Sequence, residues 1–242
     1  MEILNNTKDF WEESWIKHIE SYLNTTPRAG IFIQNYFKDT KIILEIAGGS
    51  CRDSRYLANC GYEATGSDFD EKTLKYLKEK RFPNDKLKYS LEDAFELSFK
   101  DNSFDLIFHN GFFVLFDNDK NLNIMLKEQE RVSKKYIVFF VHNIQNKKLV
   151  HTFKEKAKDD ELYNIRFFNK DEVVNIIKQS GIKAKKIDLL KFGGLYDAFY
   201  KKRVKNLPNI LYPFRKILVP RLYQLQKWEN TERICCVVEL DK

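Results

Sequence analysis

Several chemical signatures are missing from this chain. Its four cysteines, Cys51, Cys60, Cys235 and Cys236, show no C-x-x-C spacing, so neither a zinc ribbon nor a dithiol redox motif is encoded. There is no G-x-S-x-G and no G-x-x-x-x-G-K-[ST], which removes the nucleophile elbow of serine hydrolases and the phosphate-cradling P-loop. No metal site is expected. No run of about 18 apolar residues occurs, so no transmembrane helix is expected. The start, MEILNNTKDFWEE, has no basic segment followed by an apolar one, so no signal peptide is expected. Internal repeats and low-complexity segments are absent too. The plain reading of few, unpatterned cysteines is a reduced, cytoplasmic chain.

What is present bounds the class. At 242 residues with 43% apolar content, one globular domain with a sizeable core is the simplest organisation. The net charge of +7 is concentrated: residues 201–227 hold eight Lys or Arg and no acid, while the rest of the chain carries 34 basic and 35 acidic residues. A dispersed basic surface would suggest a general polyanion binder. A single basic segment suggests a local partner or an anionic substrate.

The most informative stretch is 41–53, KIILEIAGGSCRD. Ile42, Ile43, Leu44 and Ile46 form a short β-branched, apolar run, the pattern of a strand buried on both faces of a parallel sheet. Gly48 and Gly49 stop it, and a helical pattern follows over 53–60. Such a strand–glycine turn–helix unit lets the backbone approach a ligand and aims free N–H groups at it. The next strand, 61–67, ends at Asp68, 19 residues after Gly49, a distance suited to a carboxylate holding a pair of ribose hydroxyls.

Glu45-Ile46-Ala47-Gly48-Gly49-Ser50-Cys51 resembles the E-x-G-x-G-x-G motif of the class I S-adenosylmethionine (SAM)-dependent methyltransferases, with Ala47 and Cys51 where the family has its first and last glycines. The last of these positions often packs tightly or takes an unusual φ. Ser50-Cys51-Arg52-Asp53-Ser54 is similar to the S-G-R-D-S variant of small-molecule methyltransferases. Asp93-Ala94 matches the family's adenine-reading element, and Phe104-Asp105 its fourth strand, where Asp105 at the strand start reads as structural. The resemblance spans 41–143, with a weaker echo to the C-terminus. It implies a Rossmann-like α/β three-layer sandwich: a mostly parallel seven-stranded sheet with an antiparallel last strand, N-terminal helices and a helical insertion before that strand. The chain would divide into a helical cap (1–40), a SAM-binding core (41–190), a basic insertion (191–231) and the last strand (232–242). The cofactor would be SAM, leaving as S-adenosylhomocysteine (SAH), with Glu45, Ala47, Gly48, Gly49, Arg52, Asp68, Phe69, Asp93, Ala94 and Asn110 around it. His109 and His142, each ending an apolar strand on the ligand side, are the candidate general bases.

The flanks complete the expectations. Residues 6–23 read as an amphipathic helix whose Trp11 and Trp15 either pack on the sheet edge or lid the site. Residues 27–37 read as a second short helix. Asn169 and Glu172 mark an N-cap box, and Gly181 the end of the same helix. In the insertion, Leu207, Leu211, Phe214, Leu218, Leu222 and Leu225 recur every three or four residues. Pro213 and Pro220 are placed at first helical turns. The segment is read as a solvated cover or as a lid for an acceptor bearing phosphate or carboxylate. The alternatives are an RNA methyltransferase, with Tyr212, Phe214, Tyr223 and Trp228 stacking on bases, and a membrane-surface enzyme acting on a lipid precursor. A nicotinamide-dependent oxidoreductase is the competing enzyme class, against which stand Glu45 and the missing G-x-G-x-x-G.

Overall fold

The computed structural model describes residues 18–80, 82–201 and 213–242. Seven strands make one sheet: β1 (Ile42–Glu45), β2 (Glu63–Asp68), β3 (Lys88–Leu91), β4 (Phe104–Asn110), β5 (Ser133–His142), β6 (Ala184–Gly194) and β7 (Thr231–Leu240). Their order is β3-β2-β1-β4-β5-β7-β6. All neighbours run parallel except β7, which is antiparallel to both β5 and β6. The order reverses between β1 and β4, and the crevice beyond the carboxyl ends of the strands at such a switch point is where open α/β sheets bind ligands.

Alternation along the strands divides the core into two layers. Leu44, Ile46, Ile107, Ile137, Phe139, Val141 and Cys236 face one side, where α4 (Asp119–Val132) and α6 (Lys170–Ser180) supply Leu122, Met125, Leu126, Val173 and Ile176. Ile43, Leu106, Phe108, Val138, Phe140 and Cys235 face the other, covered by α1 (Arg28–Tyr36), α2 (Arg52–Asn59), α3 (Glu71–Glu79) and α7 (Arg215–Leu222). Adjacent Cys235 and Cys236 thus point to opposite faces, both buried as free thiols.

Local sequence explains the helix ends. Asn169 and Glu172 form the anticipated reciprocal box at the start of α6, and Gly181, at φ 70°, closes it. Asp70 caps α3 by accepting from the Lys72 N–H at 2.9 Å. Helix α5 (Lys147–Lys156) was not anticipated; none of its residues is fully buried, so its apolar stripe is weak. Asp53, the second residue of α2, accepts from the Gly30 N–H at 2.9 Å and ties α1 to α2. A side chain at position 30 would meet the Asp53 carbonyl at 2.6 Å, which is why glycine stands there.

The insertion departs from expectation. Pro220 lies inside α7, not at its first turn. Its missing N–H leaves the Lys216 carbonyl without the usual helical partner; Asn35 of α1 donates its side-chain amide to that carbonyl at 2.9 Å. Lys216 itself lies over the Tyr56 ring, 4.6 Å from its centroid. Trp11 and Trp15, and Leu207, Leu211 and Tyr212, lie outside the described residues. Among the described residues no helix is long and apolar enough to cross a membrane.

Asp105 has the structural place anticipated for it. Its carboxylate accepts from the N–H groups of Lys41 and Ile42, both at 2.9 Å, and fixes the entry to β1. Asp105→Ala should therefore lower the stability of the protein by about 1–2 kcal/mol in chemical denaturation, the scale of losing an acceptor for two backbone donors. A stability within about 0.3 kcal/mol of the wild type would contradict this role.

Candidate active site

The loop between β1 and α2 is built from three left-handed residues at alternate positions: Ala47 (φ 49°), Gly49 (φ 52°) and Cys51 (φ 49°). These are the positions at which the E-x-G-x-G-x-G motif carries glycine. L-residues pay roughly 1–2 kcal/mol there, so Ala47 and Cys51 are held by their surroundings. Cys51 is fully buried, and a Cβ at Gly48 or at Gly66 would each meet its sulfur at 2.8 Å. The cysteine is thus accommodated by two glycines, Gly48 at an unspecified position of the motif and Gly66 of β2.

Two carboxylates pin this loop. Glu45, at the end of β1, accepts from the Ser54 N–H in the first turn of α2 at 3.0 Å. Asp68, at the end of β2, accepts from the Gly49 N–H at 2.8 Å and from the Asp70 N–H at 3.1 Å. Both are buried. Burial, reinforced by neighbouring Asp53, holds the Glu45 carboxyl well above the usual carboxylate range, against the hydrogen bonds from Ser54. Burial pushes Asp68 up to about 6, opposed by the N–H groups of Asp70 and Gly49. Buried acids raised in this way favour a ligand that brings positive charge or hydroxyl donors.

These groups line a cleft at the carboxyl ends of the strands. Glu45, Ala47, Gly48, Gly49, Arg52, Asp68 and Phe69 border it, as do Asn110 and His142 farther along the sheet. A second hollow continues it, sharing Ala47, Phe69 and Phe112 and holding Asp93 and Ala94. Asp93 accepts from the Phe95 N–H at 2.9 Å, forming a turn at that hollow. Ten of the anticipated cofactor-side residues therefore meet in two adjoining hollows.

The two histidines separate. His142 borders the cleft, its ring 5.0 Å from that of Phe153 and 5.6 Å from that of Phe167, and its imidazole makes no hydrogen bond to a described residue. Burial, then the charge of Arg233, keeps its pKa well below the ordinary value, while Glu232 acts the other way. His109 is fully buried and is not among the residues bordering either hollow. It points into the opposite layer, 4.1 Å from the Phe113 ring and stacked on Phe139 at 5.5 Å, and burial lowers its pKa to about 3. The expectation that His109 lies near the reacting group fails on strand parity: Asn110 and His109 are consecutive, so only one of them can face the cleft.

Sequence reasoning missed Arg233, Tyr22, His18 and Tyr163, all of which border the cleft. His18 reaches Asp160 at 3.7 Å, joining the helical turn at 18–23 to the chain after α5. Arg233 could have been found from topology, since an antiparallel last strand begins where its parallel neighbours end. The basic segment does not border the cleft with any of its described residues. α7 instead packs on α1, where the Tyr36 hydroxyl donates to the Pro220 carbonyl at 3.3 Å.

Comparisons agree with this geometry. Residues 44–141 match a family model described as a methyltransferase domain. No curated protein sequence matches the chain. Solved structures that resemble it include a SAM-dependent methyltransferase of Thermotoga maritima, described as a possible histamine N-methyltransferase. It has 14% identity over 97% of this chain and 100% of that one, with a TM-score of 0.64. The plantazolicin methyltransferase in complex with SAH has 15% identity, covering 95% and 94%, at a TM-score of 0.60. The magnesium protoporphyrin IX methyltransferase of Synechocystis with bound SAH has 10% identity, covering 94% and 82%, at 0.52. The domain match, the strand order and the glycine loop together identify residues 44–141 as a SAM-dependent methyltransferase domain on a class I-like fold, with SAM as its cofactor.

Asp68 gives a pH test of the ligand-free cleft. Its folded pKa is raised above the unfolded value of 3.8, so the stability it contributes is fully present below that value and lost as pH rises through about 6. The stability of the wild type relative to Asp68→Asn should therefore fall by about 2–3 kcal/mol between pH 4 and pH 7. A difference that stays constant with pH would contradict the buried, raised carboxyl.

Proposed function

We propose that this methyltransferase acts on a small-molecule acceptor held beside the ends of β4 and β5, and that His142 is its general base. One observation carries the reading. Beyond Asn110, the cleft is walled by apolar side chains, among them Phe112, Leu115, Phe153, Leu162 and Ile165, with His142 as the titratable group bordering it at the end of β5. Such a recess suits a compact, largely apolar molecule. The names of the structural neighbours support a non-nucleic-acid acceptor: magnesium protoporphyrin IX and plantazolicin for two, and for a third the description "possible histamine N-methyltransferase".

The residues fit the cofactor. The left-handed loop at 47–51 lets the backbone come close, and the two buried carboxylates suit a ligand with an ammonium group and two vicinal hydroxyls. In this reading Glu45 receives the amino group of the cofactor and Asp68 its ribose hydroxyls. Asp93 and the Ala94 N–H read the adenine, Phe69 packs on it, and Arg52 and Asn110 lie at its methionine end. When bound, SAM supplies an electrophilic methyl group. The protein's part is alignment and exclusion of water. A hydroxyl or ammonium acceptor must lose a proton, and the His142 imidazole, kept neutral by burial and by Arg233, has a lone pair to take it at neutral pH.

The test is transfer from methyl-labelled SAM into an extract of small metabolites and, in parallel, into RNA. Label should enter the small-molecule fraction. With the labelled acceptor, His142→Gln should slow transfer by about a hundredfold or more, while His109→Leu, which changes only a core contact, should keep it within a few fold. Label in RNA alone would overturn the acceptor class, and full rate in His142→Gln would leave positioning as the sole source of catalysis.

A further inference from the structure

We propose that the guanidinium of Arg233 binds a carboxylate of the methyl acceptor, so that the substrates are small carboxylic acids with an apolar or aromatic body. The proposal rests on the methyl-transfer reading above and names the substrate class of that site.

Position comes first. Arg233 sits in the opening residues of β7 and pairs across the sheet with His142 of β5. Directly opposed residues share a face and approach within about 5.5 Å. β5 and β7 lie on the far side of β4 from β1, β2 and β3, whose ends carry the glycine loop, Asp68 and the Asp93 hollow. At about 4.8 Å per strand, the start of β7 is roughly 14 Å along the sheet from the end of β1. Arg233 thus belongs to the acceptor half of the cleft, beside the candidate base.

Its bonding is incomplete. Nη1 donates to the Asn110 Oδ1. Nε is buried without a hydrogen-bond partner; it lies 3.2 Å from the Glu232 Oε1 but is not aimed at it. Nη2 donates to no described residue. Glu232 is already committed to Arg28, which donates to both of its oxygens, at 2.8 and 2.9 Å. Arg28 in turn also bonds Asp197. The Arg233 side chain is only 16% exposed, and arginine keeps its charge even where burial disfavours it. A mostly buried guanidinium with unfilled donors on a cleft is a place for an anion.

The surroundings select the kind of anion. Arg52, the other guanidinium on the cleft, directs Nη1 to the Thr25 hydroxyl at 2.5 Å and the Tyr22 carbonyl at 3.2 Å; its Nε, buried without a hydrogen-bond partner, lies 3.4 Å from the Asp53 carboxylate at the cofactor side, and His18 faces Asp160. Among the described residues Arg233 is the guanidinium in the acceptor half of the cleft, and a single such cation next to Glu232 and apolar walls matches a monoanion better than a phosphate dianion. The basic segment, in its described part, packs on α1 and offers the cleft no charge.

Calorimetry with SAH, then with benzoate and its neutral analogue benzamide added to the SAH-loaded protein, decides the matter. SAH should bind the wild type, Arg233→Met and Arg233→Lys within about threefold of one another, which also reports that the variants are folded. Benzoate should bind the loaded wild type at least about tenfold more tightly than benzamide, the scale of one charge-assisted hydrogen bond. That preference should vanish in Arg233→Met and survive in part in Arg233→Lys. Equal binding of the two probes to the loaded wild type, a comparison that needs no variant, would overturn the proposal. So would a loss of SAH affinity above tenfold in Arg233→Met with the benzoate preference intact, since Arg233 would then serve the carboxylate of the cofactor. Failure of SAH to bind the wild type would instead remove the methyl-transfer reading, and this proposal with it.

Discussion

The hydrogen bond from the Ser54 N–H to the buried carboxylate of Glu45 ties the end of the first strand to the start of the helix that follows. Everything between them is forced into a short, left-handed loop, and the Gly49–Asp68 bond anchors its apex to the next strand. The arrangement costs desolvation of two acids and strain at Ala47 and Cys51. A fold tolerates such terms where a ligand relieves them. The raised pKa values of both acids have the same origin as the cleft's fitness for a cationic, hydroxyl-bearing molecule: carboxyl groups removed from water and supplied with too few donors by the protein itself.

The second constraint is the direction of β7. Because it runs against β5 and β6, its first residues stand at the ligand end of the sheet, and Glu232 and Arg233 arrive beside His142. Arg28 of α1 bridges Glu232 and Asp197, so guanidiniums from a helix and from the last strand meet around two carboxylates. Arg233 is left to face the cleft, where its field also bears on His142. In the proposed reading the acceptor half of the site is made by elements distant in sequence, while the cofactor half is made almost wholly by residues 45–94.

That difference explains what could be read from the sequence. The cofactor half follows from local rules: a β-branched run, a glycine turn and a strand-end acid at fixed spacing. Glu45, Gly49, Asp68 and Asp93 accordingly lie at or just past the strand ends where the spacing put them, and the first two strands follow the periodicities within a few residues. The acceptor half depends on tertiary pairing. His109 and His142 look alike in sequence, each closing an apolar strand. Parity sends the first into the phenylalanine layer and the second into the cleft, and only the register of β4 and β5 reveals which is which. Helix α5, with no fully buried residue, left too faint a pattern to see. The position of Pro220 depends on a side chain of α1, Asn35, which no local rule could supply.

The central claim is that the paired carboxylates and the left-handed loop form a site for SAM and not for a nicotinamide dinucleotide, the other ligand class compatible with a glycine turn and a strand-end acid. Isothermal titration of the ligand-free protein with SAH and, separately, with NAD tests it most directly. The account predicts saturable binding of SAH and no measurable heat with NAD, and a loss of about 2–3 kcal/mol of SAH affinity in Asp68→Ala, as expected for two hydrogen bonds to a charged group. Binding of NAD in preference to SAH, or SAH affinity indifferent to Asp68, would contradict it.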